Sequence, residues 1–141
     1  MGEGLRELLC WTGTLLFLLG LLTGVAIPAV RGPRIALSAH VAAIESGLVL
    51  IALGLLGGKL ELAPGWAAAI GHGMWISLYV LWIGLVAGAV FGTGRTLPLA
   101  GAGLRAEAWQ ETTAFVLIGA GSLGSAAATF ALLWQWSWRP L

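Results

Sequence analysis

The sequence predicts an all-α integral membrane protein, an antiparallel four-transmembrane-helix bundle, and three observations carry that prediction. Of its 141 residues, 59% are hydrophobic and 9% charged, with a mean hydropathy of +0.95, whereas a soluble domain carries roughly 25% charged residues. Stretches at about 8–30, 35–56, 64–91 and 107–136 are apolar enough to cross a hydrocarbon core of ~30 Å, which takes about 20 helical residues. No stretch alternates polar with apolar residues as barrel strands do, so helices remain the way to satisfy every backbone group in lipid.

The first span is uncharged over about 23 residues and has Pro28 near its end. A signal-peptide core needs only ~7–15 apolar residues. No A-x-A site follows, and Arg6 is offset by Glu3 and Glu7, so the stretch reads as a retained span. The third span opens on Pro64, a residue favoured in a first helical turn. The fourth runs to the cluster Trp134, Trp136 and Trp138. The connections are RGPR (31–34), GGKLEL (57–62) and a longer loop at about 92–106 carrying Arg95, Pro98 and Arg105. Short connections make neighbours antiparallel and bring both ends of the chain to one face of the bundle. That face is called A; the first and third loops lie on face B. Residues 1–141 read as a single membrane domain.

A net charge of +1 leaves no basic footprint, which excludes nucleic acid as a partner. The single cysteine, Cys10, excludes an intrachain disulfide and a Cys-rich metal site. Arg6, Lys59 and Arg139 on face A against Arg31, Arg34, Arg95 and Arg105 on face B give no strong bias under the positive-inside rule. Trp11, Trp66, Trp134, Trp136 and Trp138 form an interfacial belt toward face A. Small residues recur four apart at Gly20 and Gly24, at Gly84, Gly88 and Gly92, and at Gly124 and Ala128. Such stripes let helices approach closely, and both packing within the chain and self-association fit them. A multi-pass location, in a bacterial inner membrane, is expected.

Ionisable groups inside spans are costly and mark function by default. They are His40, Glu45, His72 and Glu111. From the helical rise, His40 lies roughly 8–10 Å in from face B and Glu45 roughly 16 Å, near the midplane, while His72 lies roughly 12 Å in from face A. The two histidines are too far apart to ligate one ion, which argues against zinc. By height, His40, Tyr79 and Glu111 can form one polar layer, and Glu45 can approach His72. Glu45 must be neutralised or paired. A lone histidine in a helical bundle can also hold haem iron, for which one axial nitrogen suffices.

The segment GLLTGVAIPAVRGPRIALSAHVAAIESGLVLIALGLL, then LYVLWIGLVAGAVFGTGRTLPLAG and AWQETTAFVLIGAGSLG, resembles the hydroxylaminobenzene mutase family, relatives of the styrene oxide isomerases. GPRIALSAH, GTGRTLPLA and WQE are its most specific pieces. The resemblance implies a four-helix, trimeric membrane enzyme in which haem b acts as a Lewis acid. His40 matches the histidine of the family's AH motif and would be the axial ligand. Arg31 or Arg34 would be available to a propionate. The family rearranges aryl hydroxylamines, or aryl epoxides in the isomerases, without net redox change. Its implied partners are a small apolar aromatic substrate, the lipid bilayer and other copies of the chain.

This sequence departs from the pattern where the family orients its substrate. Ser46 stands where an asparagine usually follows the histidine, and Leu81 and Leu85 stand at polar positions of the third span. The expected site is therefore His40 as metal ligand, Arg31 and Arg34 at the cofactor, and Glu45, Ser46, Tyr79 and Glu111 as candidates to orient substrate or move a proton. Trp109 and Gln110 would help Glu111 close the face B end. The alternative is a non-catalytic haem-binding or structural membrane subunit. A transporter is disfavoured, since no pair of broken helices is present.

Overall fold

A computed structural model describes residues 1–137. Trp138 of the expected tryptophan cluster and Arg139 of the face A charges lie outside the described residues. The four expected spans are present as α1 (Glu3–Ala26), α2 (Pro33–Leu56), α3 (Pro64–Phe91) and α4 (Ala108–Ser137), each long and apolar enough to cross a membrane. Helix α1 starts over a turn earlier than its apolar stretch, taking Arg6 and Glu7 into the helix. It ends in a 3-10 turn over Ile27–Ala29 containing Pro28, because proline cannot donate the hydrogen bond that would extend the helix. Pro33 and Pro64 open α2 and α3. Gly92 ends α3 with φ +75°, and its N–H bonds to the Gly88 carbonyl at 2.8 Å, a left-handed cap that glycine adopts without strain. At the start of α4 the Gln110 side chain accepts from the Glu107 N–H at 2.9 Å, half of a capping box.

Glycine decides how the helices pair. A Cβ on Gly13 would lie 2.7 Å from the Gly47 carbonyl oxygen, and one on Gly47 would lie 2.7 Å from that of Gly13. Thus α1 and α2 cross with their backbones in contact. Gly54 continues the seam against Cys10 and Arg6, while Gly20 lies against Ala43 and Ile44. The α3–α4 pair is built likewise, with Gly84 on Leu117 and Ile118, Gly121 on Leu81, and Gly124 on Ser77. The small-residue stripes are therefore spent on packing within the chain.

Two hairpins result, α1–α2 and α3–α4, joined along the α2–α3 line. At the face A half the shared core holds Leu9, Leu16, Leu50, Met74 and Leu78; toward face B, Ile35 and Ala36 meet Ala89. Among the described residues, α4 makes close backbone contact with α3 but not with α1 or α2. An open cleft remains between α2 and α4 on the face A side.

Candidate functional site

His40 projects from α2 onto α1, where two glycines receive its ring. Its Nδ1 lies 2.7 Å from the Gly20 carbonyl oxygen. A carbonyl can only accept, so Nδ1 carries a proton, and in the neutral tautomer this leaves the lone pair on Nε2. A Cβ on Gly24 would lie 2.7 Å from Nδ1 and 2.8 Å from Cε1, so the imidazole rests in a notch that only glycine leaves open. Gly24→Val should drive the ring out of this notch without disturbing the Gly13–Gly47 crossing. The expected outcome is wild-type helicity by circular dichroism with the response of His40 to added haem or imidazole-directed reagents changed.

The α3 group at the height of His40 is Trp82. Its Nε1 donates to Thr23 Oγ1 at 3.3 Å, and that hydroxyl donates to the Leu19 carbonyl at 2.7 Å. Tyr79 belongs elsewhere: its hydroxyl donates to the Thr12 carbonyl at 2.8 Å. Thr12 is two turns before Gly20 on α1, roughly 12 Å along the axis at 1.5 Å per residue. The expected layer of His40, Tyr79 and Glu111 is therefore not formed. Height alone placed Tyr79 too near face B. Leu81 faces α4 beneath Gly121, and Leu85 is buried. Trp82 was legible only as an indole N–H needing a partner within a span.

Glu111 holds the long loop rather than the end of a pocket at His40. Its Oε1 accepts from the Arg95 N–H at 3.1 Å. Its Oε2 accepts from the Thr96 N–H at 2.8 Å and from Thr96 Oγ1 at 2.7 Å. The side chain is buried, and both oxygens are engaged by backbone and hydroxyl donors of residues 95–96. The GTGRTLPLA and WQE pieces are thus two halves of one loop clamp. Gly32 N–H to the Ala89 carbonyl (2.9 Å) and Arg31 Nη2 to the Arg105 carbonyl (3.3 Å) fasten the 27–34 turn to the same face. Thr96 is a member of this clamp that the sequence reading missed. Phe91 and Trp109 meet edge to face, centroids 5.3 Å apart, beside it.

The remaining candidates are dispersed. Ser46 is buried on α2, about 9 Å along the helix from His40 and about a third of a turn round. Glu45, one residue earlier, is exposed on the outside of α2. It does not meet His72, which is exposed near face A and accepts from the Trp75 indole N–H at 3.1 Å. Arg34 is exposed at the first turn of α2. No group of three or more His, Cys, Asp or Glu that could hold a metal ion is found among the described residues.

Four apolar spanning helices, with one histidine pinned between two of them by a backbone carbonyl, define a multi-pass membrane protein in which His40 is a candidate ligand toward face B. The chain belongs to the styrene oxide isomerase family, which it matches over residues 5–137. It is 39% identical over 109 residues to hydroxylaminobenzene mutase HabB of Ectopseudomonas oleovorans, covering 75% of this chain and 66% of that one. It is 33% identical over 108 residues to hydroxylaminobenzene mutase HabA of the same organism, covering 76% of this chain and 80% of HabA. The chain thus spans about two thirds of HabB's length. No solved structure matches it.

Proposed function

We propose that the chain is a membrane-bound isomerase or mutase that rearranges aryl hydroxylamines or aryl epoxides without net redox change, with His40 as the axial ligand of haem b. The observation that carries this reading is the bond from His40 Nδ1 to the Gly20 carbonyl, 2.7 Å. Ligating histidines commonly donate their second ring N–H to a backbone carbonyl, which fixes the tautomer and directs the other nitrogen to the metal. The donor set therefore fits a haem held by one imidazole. Bound there, ferric iron would supply a Lewis acid that draws electron density from an oxygen, so that a C–O or N–O bond breaks.

The chain's own residues orient and exclude. Gly20 and Gly24 fix the imidazole plane, and Arg34, with Arg31 beyond it, supplies cations at face B for propionates. Lipid-facing walls admit an apolar aromatic substrate directly from the bilayer and keep water out. Four helices leave little interior, so we further propose a homo-oligomer, a trimer as in the related isomerases, in a bacterial inner membrane.

Absorption spectra of the detergent-purified protein, ferric and dithionite-reduced, test the reading. A Soret band that shifts on reduction is expected, and it should be lost in a folded His40→Ala chain. A colourless wild type after haem reconstitution, or full haem in His40→Ala, would overturn the ligand assignment. One observation favours a second reading, a non-catalytic haem-binding or structural subunit: Ser46, Leu81 and Leu85 present no polar group beside His40. Turnover of N-phenylhydroxylamine to an aminophenol, or of styrene oxide to the aldehyde, by haem-loaded protein separates the two.

A further inference from the structure

Among the described residues, Glu45 is the mid-span ionisable side chain without a partner in the chain. His40 and Glu111 are hydrogen-bonded, and His72 accepts from Trp75. Glu45 stands at the middle of α2 (Pro33–Leu56) and faces outward, with Leu37, Val41 and Leu48 on the same outer surface. Hydrocarbon offers a carboxyl nothing to bond, and such groups are almost always turned to protein or to a polar cavity. An outward carboxyl at this depth therefore calls for a polar partner beyond its own chain.

The same face continues into the cleft between α2 and α4. Val49, Ala52 and Leu56 follow Glu45 at spacings that keep one side of a helix and form one wall. Leu132 and Trp136 form the other wall, Met74 lines the cleft with them, and the volume is about 420 Å³. The cleft runs from Val49, one turn beyond Glu45, toward Lys59 at face A, and α4 does not close it. The glycine seams that pair α1 with α2 and α3 with α4 lie on other faces.

We propose that this outer face of α2 is where copies of the chain meet, and that Glu45 hydrogen-bonds the Glu45 carboxyl of a neighbouring copy. Glu45 stands at the middle of its span, so copies lying side by side in one orientation carry it at one depth. A rotation axis along the membrane normal brings identical carboxyls to the same level. There each O–H donates to the carboxyl oxygen of the next copy around the axis, which satisfies every copy's group in a setting where interhelical polar pairs hold helices together. The neighbour's apolar side chains then cover Leu37, Val41 and Leu48 and enter the cleft. A lipid tail would fill the cleft but leave Glu45 unbonded. The proposal goes beyond the oligomer suggested above by assigning its surface and its polar contact, and it does not depend on haem.

Single-cysteine cross-linking of the full chain in native membranes tests it. In a Cys10→Ser background, one cysteine is placed by Glu45→Cys, by Val41→Cys (one turn along the same face, Glu45 intact), or by Leu123→Cys. Leu123 is 74% exposed near the middle of α4 and serves as the control at matched depth. On copper-phenanthroline oxidation, the first two should run largely as disulfide-linked dimers of the chain and the third as monomer. Absence of a dimer at both 41 and 45 would overturn the proposal. So would equal cross-linking at 123, or an adduct at 45 with a different protein.

Discussion

A Gly47→Leu chain should fail to form the α1–α2 hairpin, whereas Gly119→Leu should fold as the parent does. A Cβ at position 47 would lie 2.7 Å from the Gly13 carbonyl oxygen, 2.8 Å from the Phe17 nitrogen and 3.0 Å from the Phe17 Cβ. Two of these neighbours are backbone atoms of a hydrogen-bonded helix, so no rotamer change relieves the contact. The helices must separate, and Gly13, Gly20 and Gly54 lose their partners together. Overpacking in a rigid interior costs about 1–3 kcal/mol and more where backbone must move; this site belongs at the upper end, about 3 kcal/mol or beyond. At Gly119 a Cβ would meet nothing within 4 Å, so leucine there faces lipid and should shift stability by less than about 0.5 kcal/mol. Thermal unfolding in detergent, followed by circular dichroism, distinguishes the two. Equal midpoints would mean that the crossing does not limit stability.

The contrast between positions 47 and 119 also shows what the sequence made legible. Hydropathy and length located all four helices, since lipid imposes one requirement on every spanning residue and that requirement is additive along the chain. Proline and glycine then marked the ends, at Pro33, Pro64 and Gly92. Gly20, Gly84 and Gly124 were visible as small residues, but which helix each would meet depends on direction around the axis. Depth is readable from residue number; azimuth is not when a helix is apolar on every side. Glu45 was misplaced for that reason, whereas Tyr79 was set too near face B because heights on separate helices depend on how the helices slide past one another. Tyr79 turns to Thr12 on α1, and Glu45 turns outward while Ser46, a hundred degrees on, is buried. His40 was found through a motif, and its Gly20 carbonyl partner through the structure alone.

Glu111→Ala should unfasten the loop at residues 93–105 while leaving His40 in its notch. The carboxylate accepts from two backbone N–H groups and one hydroxyl, at 2.7–3.1 Å, and is buried. Bonds to a charged group contribute about 1.5–3 kcal/mol each, and a buried donor left without a partner costs about 1–3 kcal/mol. These contributions are not additive in a shared network, so a net loss of about 2–4 kcal/mol is expected. Glu111→Gln keeps one carbonyl oxygen as acceptor and should fall between the parent and Glu111→Ala. Thr96→Val removes one donor and leaves both N–H bonds, so it should cost about 1 kcal/mol. Amide hydrogen exchange at Arg95 and Thr96 should accelerate in the same order, with exchange near Gly20 and His40 unchanged. The order separates a structural clamp from a group acting on substrate. A clamp predicts that stability, loop exchange and any activity decline together through the series. If Glu111→Gln abolished turnover while the Arg95 and Thr96 amides stayed protected, Glu111 would be acting on substrate, and the loop would be held by its backbone bonds, Leu97 to Thr93 and Gly101 to Leu97.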